Sequence, residues 1–176
     1  DPVFFTSDEI VAKTIEFMYP DQDSFPPEPK DMNYDMESFV YFKDSLYLFT
    51  KNQTQPFDGY TRMYTIPAKE GRHVAKYRGR YYCGAGPKEL YWITSADISP
   101  DGKSLVLLSS MGIWRFTDFI NDDFFGGKVS VFILNHITQK EGIAYINNND
   151  LYVADERFVL MGVPRGGKLY KVHLPD

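Results

Sequence analysis

Three residues with reactive side chains stand at matching places in three similar stretches of the chain. Glu37 lies in MESFVYF, Thr94 opens TSADIS, and Glu141 lies in KEGIAYI. Carboxylate oxygens are hard ligands, which suit Ca²⁺ better than a soft transition metal. Glu37 and Glu141 are therefore candidate calcium ligands if the fold brings them together. The alternative is structural, because acids at strand starts often accept hydrogen bonds from backbone amides of neighbouring loops.

A second candidate set lies at the other end of the same stretches. Lys51 follows LYLFT and Glu156 follows LYVAD, so the two occupy matched places at strand ends. If both side chains point toward a shared axis, they can pair with each other or bind a polar ligand together with Thr94. The alternative is that these charged residues are solvated at exposed strand ends and bind no ligand. Lys51, Thr94 and Glu156 are our candidate ligand-binding residues.

Catalysis has no comparable pattern in the sequence. The three histidines, His73, His136 and His173, fall within or beside outer or third strands, away from the place where a general base is needed. The chain contains neither a GxSxG nucleophile elbow nor an HExxH zinc motif. We therefore assign no catalytic residue. The single cysteine, Cys83, excludes an internal disulfide.

Aromatic residues supply a further candidate surface around the loop GAGPKEL. A ring platform of this kind can stack on the apolar face of a sugar, whereas packing between sheets uses the same residue types. The residues concerned are Tyr77, Tyr81, Tyr82, Tyr91 and Trp92.

Size and charge narrow the class of protein. The chain has 176 residues, which is the size of one domain with a sizeable core. Its net charge is −5 and it has no basic block, which argues against a nucleic-acid partner. No apolar run approaches the roughly 20 residues that span a bilayer. Aromatic residues make up 16% of the chain, a composition that favours strands.

The elements that position these residues repeat along the chain. Each of 36–52, 94–110 and 140–156 reads as a strand, a polar turn and a second strand that begins with leucine: Leu46, Leu105 or Leu151. The turn SPDG suits a hairpin, because proline presets φ and glycine accepts a positive φ. A third strand follows each stretch and another candidate strand precedes it. Four strands at roughly 50-residue spacing are typical of a β-propeller blade.

We therefore predict an all-β fold: a single partial β-propeller domain over 1–176 with about three four-stranded blades. The blade boundaries fall near 14–67, 73–116 and 128–174. A β-sandwich also has many short strands, but it has no reason to repeat a four-strand unit. Three blades cannot close a ring, since propellers have roughly four to eight. The expected partners are therefore missing blades of a longer protein or a second copy of the chain.

The order YPD…MESFVYFKDSLYLFTK…RMYTIP…ITSADISPDGKSLVLLSS…EGIAYINNNDLYVADE…GKLYKV covers roughly 14–174. It resembles the C-terminal half of uncharacterised bacterial secreted six-bladed β-propeller proteins of the WD40-like or NHL-like type. Their corresponding phrases look like YPDG, LYLVTK, ITGADISPDG and QGEAIAY. The resemblance implies a six-bladed ring whose earlier blades lie upstream of Asp1, and export to the periplasm or cell surface. It carries no settled activity.

Two classes of function follow. The first, which we favour, is a secreted propeller module that binds a ligand or a protein partner, with a glycan or another small molecule as the candidate ligand. The second is a calcium-dependent propeller hydrolase of the lactonase, esterase or phytase type, with Glu37 and Glu141 as metal ligands. Occupancy of the axis by calcium distinguishes the two classes, and no cofactor other than Ca²⁺ is indicated.

Overall fold

The computed structural model describes residues 12–175. Among them, no helix has the length and apolar character needed to span a bilayer. The strands are β1 (Ile15–Met18), β2 (Asp35–Phe42), β3 (Ser45–Lys51), β4 (Tyr60–Pro67), β5 (Gly71–Val74), β6 (Lys76–Tyr82), β7 (Ser95–Ile98), β8 (Leu105–Leu108), β9 (Gly112–Thr117), β10 (Lys128–Ile133), β11 (Lys140–Tyr145), β12 (Asp150–Asp155), β13 (Phe158–Leu160), β14 (Val163–Arg165) and β15 (Leu169–His173). The helical elements are α1 (Lys88–Tyr91) and two 3₁₀ turns, Pro29–Asp31 and Phe124–Gly126.

The first sheet has the antiparallel order β2-β3-β4-β6. Lys43 and Asp44, which join β2 to β3, have φ angles of 47° and 59°. Two consecutive positive φ angles are the backbone of a type I′ hairpin, whose twist matches that of the flanking strands. The local sequence FKDS thus closes the hairpin that fixes the register of β2 on β3.

The middle sheet has the antiparallel order β7-β8-β9-β10. Its first hairpin turns at Ser99–Gly102, where Gly102 has φ of 70° and its N–H donates to the Ser99 carbonyl at 2.8 Å. The Ser99 hydroxyl donates to Asp101 Oδ1 at 2.6 Å. The turn predicted from SPDG is confirmed in position, and its own side chains stabilise it.

The third sheet has the antiparallel order β11-β12-β15. The side chain of Asn147 closes the first turn, because its Oδ1 accepts the N–H groups of Asn149 and Asp150 at 3.0 and 2.8 Å. A separate hairpin of β13 and β14 is inserted between β12 and β15. This insertion was absent from the sequence prediction.

The apolar core lies on both faces of the middle sheet. All four residues of β8 are buried at 0% exposure. Leu107 belongs to a core cluster with Phe49 of β3, whereas Leu108 belongs to a cluster with Leu151 of β12. Alternate side chains of a strand point to opposite faces, so β8 packs against one neighbouring sheet with each face. The three sheets therefore stand side by side with the middle one enclosed.

The first strands of the three sheets are also neighbours, with β7 between β2 and β11. Side chains of β7 accept backbone N–H groups of β11: Ser95 Oγ from Ile143 at 3.1 Å, and Asp97 Oδ2 from Tyr145 at 2.6 Å. These bonds cross between sheets and satisfy amides on the open side of β11. They connect the first strand of the middle sheet to the first strand of the third sheet.

The all-β fold with repeated antiparallel sheets is confirmed, but the grouping of strands differs from the prediction. The segments 73–82 and 128–136 were expected to begin the second and third units. Instead β6 pairs with β4 and β10 pairs with β9, so each is the last strand of the preceding sheet. Consecutive strands usually lie beside each other in a sheet, and each of these strands has a sequence neighbour on either side, so chain order alone did not decide its partner. The segment 14–20 supplies β1, which pairs in parallel with β5 and lies outside the four-stranded sheets.

We expect Leu107→Ala and Leu108→Ala each to lower the free energy of unfolding by about 2–5 kcal/mol, because each leaves a cavity in a fully buried cluster. Urea unfolding of the 176-residue chain measures both. Ile133→Ala, at a side chain 62% exposed on β10, is the control and should change stability by no more than about 0.5 kcal/mol. A Leu108→Ala effect as small as that of the control would contradict the packing of the third sheet on the middle one.

Candidate functional site

The candidate site is an open cleft of about 590 Å³ where the first and third sheets approach each other. Four of the residues singled out from the sequence meet there: two glutamates from inner strands and two charged residues from the ends of second strands. The lining residues are Glu37, Lys51, Gln139, Glu141, Gly142, Ala154, Asp155 and Glu156.

Both inner-strand glutamates are placed by a β-bulge. In the first sheet the ladder passes from Met36 to Ser38, so Glu37 has no partner on β3. In the third sheet it passes from Lys140 to Gly142, so Glu141 has no partner on β12. A bulge leaves one residue outside the ladder and redirects its side chain. The same irregularity in two sheets turns both carboxylates into the cleft.

Lys51 binds the first of these glutamates. Its ammonium donates to both carboxylate oxygens of Glu37, at 2.7 and 2.9 Å, and also lies 4.5 Å from the centroid of the Trp92 ring. The Lys51 side chain is only 10% exposed, against 32% for Glu37. The ion pair and the cation–π contact therefore hold the ammonium in one place at the wall of the cleft.

Gln139 joins the second glutamate to the end of the neighbouring strand. Its Nε2 donates to Glu141 Oε1 at 3.0 Å and to a carboxylate oxygen of Glu156, while the Glu156 N–H donates to the Gln139 carbonyl at 2.8 Å. Counted from the bulge, Glu156 occupies the position in the third sheet that Lys51 has in the first. A neutral amide thus bridges two carboxylates where the first sheet has an ion pair.

Thr94 lies apart from these residues. It is 2% exposed, and its hydroxyl donates to the Lys140 carbonyl. Thr94 therefore ties the middle sheet to the third and does not line the cleft. Asp97, three positions after Thr94, accepts the Tyr145 amide described above with its carboxylate. For Asp97, the structural alternative of an acid that accepts a backbone amide agrees with its position.

A buried ion pair lies directly beneath the cleft floor. The side chains of Lys140 and Asp155 are 3% and 0% exposed, with Nζ 3.4 Å from Oδ1. The ammonium also donates to the His136 carbonyl and the Thr138 hydroxyl, both at 2.7 Å, while Asp155 accepts from Thr138 and from Tyr170 at 2.8 and 2.9 Å. A buried pair is tolerated when further hydrogen bonds satisfy it, as here. It fixes the residues on either side, Gln139, Glu141 and Glu156.

The charge of the cleft is not balanced. Besides Asp155, whose carboxylate is buried in its pair with Lys140, three carboxylates share the space with one ammonium, that of Lys51: they are Glu37, Glu141 and Glu156. Burial raises the pKa of Glu141, and the nearby charges of Glu37 and Glu156 raise it further; Gln139 and Lys51 act in the opposite direction. Lys51 is near enough to lower the pKa of Glu141, but among residues 12–175 no cationic side chain forms an ion pair with Glu141.

The residues present do not fit a resident calcium ion. Ca²⁺ takes six to eight oxygen ligands, and in residues 12–175 no group of three or more histidine, cysteine or acidic side chains is placed to hold a metal. Both oxygens of Glu37 are engaged by the Lys51 ammonium, whose own charge repels a second cation. The expectation of Glu37 and Glu141 as a metal pair is therefore not supported, although both line one cleft.

Two of the histidines make structural contacts. His73 Nε2 lies 2.7 Å from the Lys69 carbonyl, and His173 Nδ1 lies 2.9 Å from Asp150 Oδ1. Burial raises the pKa of Cys83 to about 12, which keeps the thiol protonated.

Of the aromatic platform, Tyr81 packs edge-on against Phe116, with ring centroids 4.8 Å apart, and Tyr82 packs against Tyr60 at 5.2 Å. The Tyr81 contact favours core packing over a glycan surface for that residue, whereas Tyr82 is 48% exposed. Trp92 alone of that set contacts a residue that lines the cleft, Lys51.

Comparison with known proteins identifies no family. No family model and no curated protein sequence matches the chain. Among solved structures it is similar to Sqt1 of Saccharomyces cerevisiae, with a TM-score of 0.48 and 10% sequence identity over 84% of this chain. The match spans 38% of the Sqt1 chain.

We expect Glu141→Gln to stabilise the protein more at about pH 8 than at about pH 4. The pKa of Glu141 is higher in the folded state than in the unfolded state. Protonation of Glu141 therefore stabilises the fold fully at pH values below the unfolded-state pKa, and this stabilisation is lost as the pH rises through the folded-state pKa. Glutamine mimics the protonated form and removes that loss. Urea unfolding of both chains at the two pH values measures the difference, with Glu70→Gln in the exposed turn before β5 as control. An equal effect of Glu141→Gln at both pH values would contradict the assignment.

Proposed function

We propose that this chain is a segment of a β-propeller in which three sheets act as blades around an axis lined by β2, β7 and β11. The support is the meander order of strands in each sheet, the side-by-side packing of the sheets, and the adjacency of their first strands. On this proposal the bulged glutamates open toward the axis, and the cleft is one part of a central channel.

Both flanks of such an arrangement expose apolar side chains. On the first sheet, Phe39 and Tyr41 alternate with Val40, which packs toward the middle sheet, and are 54% and 57% exposed. On the third sheet, Tyr152 and Leu169 are 45% and 66% exposed. Apolar sheet faces of this kind are normally covered by a neighbouring element. Further blades of a longer protein, or a second copy, would cover them.

We expect the isolated chain to associate through these flanks, with a light-scattering mass near twice its 20.4 kDa. Leu169→Glu should shift the mass toward that of one chain, because a charge on the flank is costly to bury. Val131→Glu places the same charge on the outer strand β10, at a side chain 47% exposed, and should leave the mass unchanged. A parent chain that remains a monomer at high concentration would contradict uncovered flanks.

We propose further that the protein is a binding module and that the cleft binds a ligand with a positively charged amine or guanidinium group. The observation that carries this proposal is the pair Glu141 and Glu156: two carboxylates bridged by the neutral amide of Gln139, neither of which forms an ion pair with a cationic side chain among residues 12–175. A ligand cation that contacts both would form charge-assisted hydrogen bonds and offset the charge excess. Following the family resemblance, we also propose that the protein works in the periplasm or outside the cell.

We expect 1,4-diaminobutane to shift the NMR signals of the cleft residues, and glutarate, a dianion of similar length, to leave them unchanged. Glu141→Gln and Glu156→Gln should each weaken diamine binding about tenfold, because a hydrogen bond to a charged group contributes about 1.5–3 kcal/mol. Added salt should also weaken it.

Glu70→Gln is the matched control for both variants, since it removes one exposed carboxylate outside the cleft. Equal shifts with glutarate, or diamine binding that is insensitive to both cleft variants, would contradict a cation site.

A further inference from the structure

An apolar cavity of about 210 Å³ opens beside the charged cleft. Its walls are mainly Leu90, Trp92, Ile137 and Phe158, with Ser110 and Thr138 at polar positions; Glu89 and Gln139 complete the lining. Phe158 is the first residue of β13, so the inserted hairpin supplies one wall. Trp92 follows α1, which is held to the β8–β9 turn by a hydrogen bond from the Met111 N–H to the Leu90 carbonyl at 3.1 Å.

Two residues connect this cavity to the cleft. Gln139 lines both spaces, and its amide binds the two free carboxylates of the cleft. Trp92 lines the cavity while its ring also contacts the Lys51 ammonium at 4.5 Å. The charged and apolar surfaces are therefore adjacent, and one extended molecule can contact both.

The structure assigns this cavity to the apolar part of the ligand. We propose that the ligand is an amphipathic cation, with its ammonium between Glu141 and Glu156 and its hydrocarbon or aromatic tail against Trp92, Ile137 and Phe158. This inference rests on the proposed function, since it specifies the ligand of the same site.

Charge determines which end of the ligand each surface accepts. The cleft and the cavity rim together carry the carboxylates of Glu37, Glu89, Glu141 and Glu156, against the ammonium groups of Lys51 and of Lys88, which lies 5.6 Å from the Trp92 centroid. The excess is negative, so an amphipathic anion is disfavoured. Ile137 is 63% exposed, so a tail that covers it removes apolar surface from water.

The test compares amines that share one head group, from ethylammonium through butylammonium to 4-phenylbutylammonium, by NMR or calorimetric titration of the full chain. Affinity should rise with tail length, up to about fourfold for each methylene that becomes buried. Phe158→Ala and Ile137→Ala should remove that gain, so that 4-phenylbutylammonium binds little better than ethylammonium. The matched control is Val159→Ala, because Val159 is next to Phe158 on β13 but is 66% exposed and outside the cavity lining. Phe158→Leu keeps an apolar side chain and should retain most of the gain.

The outcomes separate this inference from the proposed function. If all the amines bind with equal affinity, the cleft binds cations and the cavity assignment fails. If the gain from the tail survives both Phe158→Ala and Ile137→Ala, the tail lies elsewhere and the assignment also fails. If neither the amines nor 1,4-diaminobutane bind, both proposals fail.

Discussion

Enclosure of the middle sheet is the constraint on which the rest of the structure depends. A strand with both faces buried requires apolar residues at consecutive positions, and Leu105–Leu108 supplies four of them at 0% exposure. Each face then needs a sheet against it, which fixes the first and third sheets on opposite sides. The inter-sheet hydrogen bonds of Ser95 and Asp97 fix the position of the third sheet along the middle one, because these two side chains accept particular amides of β11. Apolar burial alone would permit the sheets to slide.

The site follows from that arrangement together with strand register. Glu37 and Glu141 lie about a hundred positions apart in the sequence, and they meet because each is the extra residue of a bulge at the start of an inner strand. A shift by one residue would direct the neighbouring side chain into the cleft instead. In the third sheet the buried pair of Lys140 and Asp155 opposes such a shift, since moving either residue would leave the other charge buried and unpaired.

The sequence predicted the strands and turns better than it predicted which strands pair with each other. Repeated hairpins were recognisable because turn chemistry is local: SPDG and FKDS each specify a backbone conformation within four residues. The matched places of Glu37 with Glu141 and of Lys51 with Glu156 followed from the same repeat. Assignment of 73–82 and 128–136 to the following units failed, because an isolated strand pattern does not state which neighbour it pairs with.

Other features left no signal in the repeat. Gln139 lies just before the matched stretch, and the bulges depend on pairing that periodicity does not show. Thr94 matched the glutamates in position, yet its hydroxyl is buried and donates to the Lys140 carbonyl. Phe158 belongs to an insertion that only the third sheet has. Gln139 and Phe158 line the proposed ligand surface, so the sequence brought together the charged residues of the cleft but not its shape.

On our proposal, Lys51 is the reason that the cleft favours an organic cation over a metal ion. A small divalent ion needs several oxygens around one point, and the bidentate pair of Lys51 with Glu37 both occupies one carboxylate and adds a repelling charge. An ammonium group needs only the two carboxylates on the opposite side, with which it forms directional hydrogen bonds. Trp92 holds the Lys51 ammonium against its ring and turns the rest of its surface to the apolar cavity. One tryptophan thus keeps the internal cation in place and provides the surface on which a ligand tail packs.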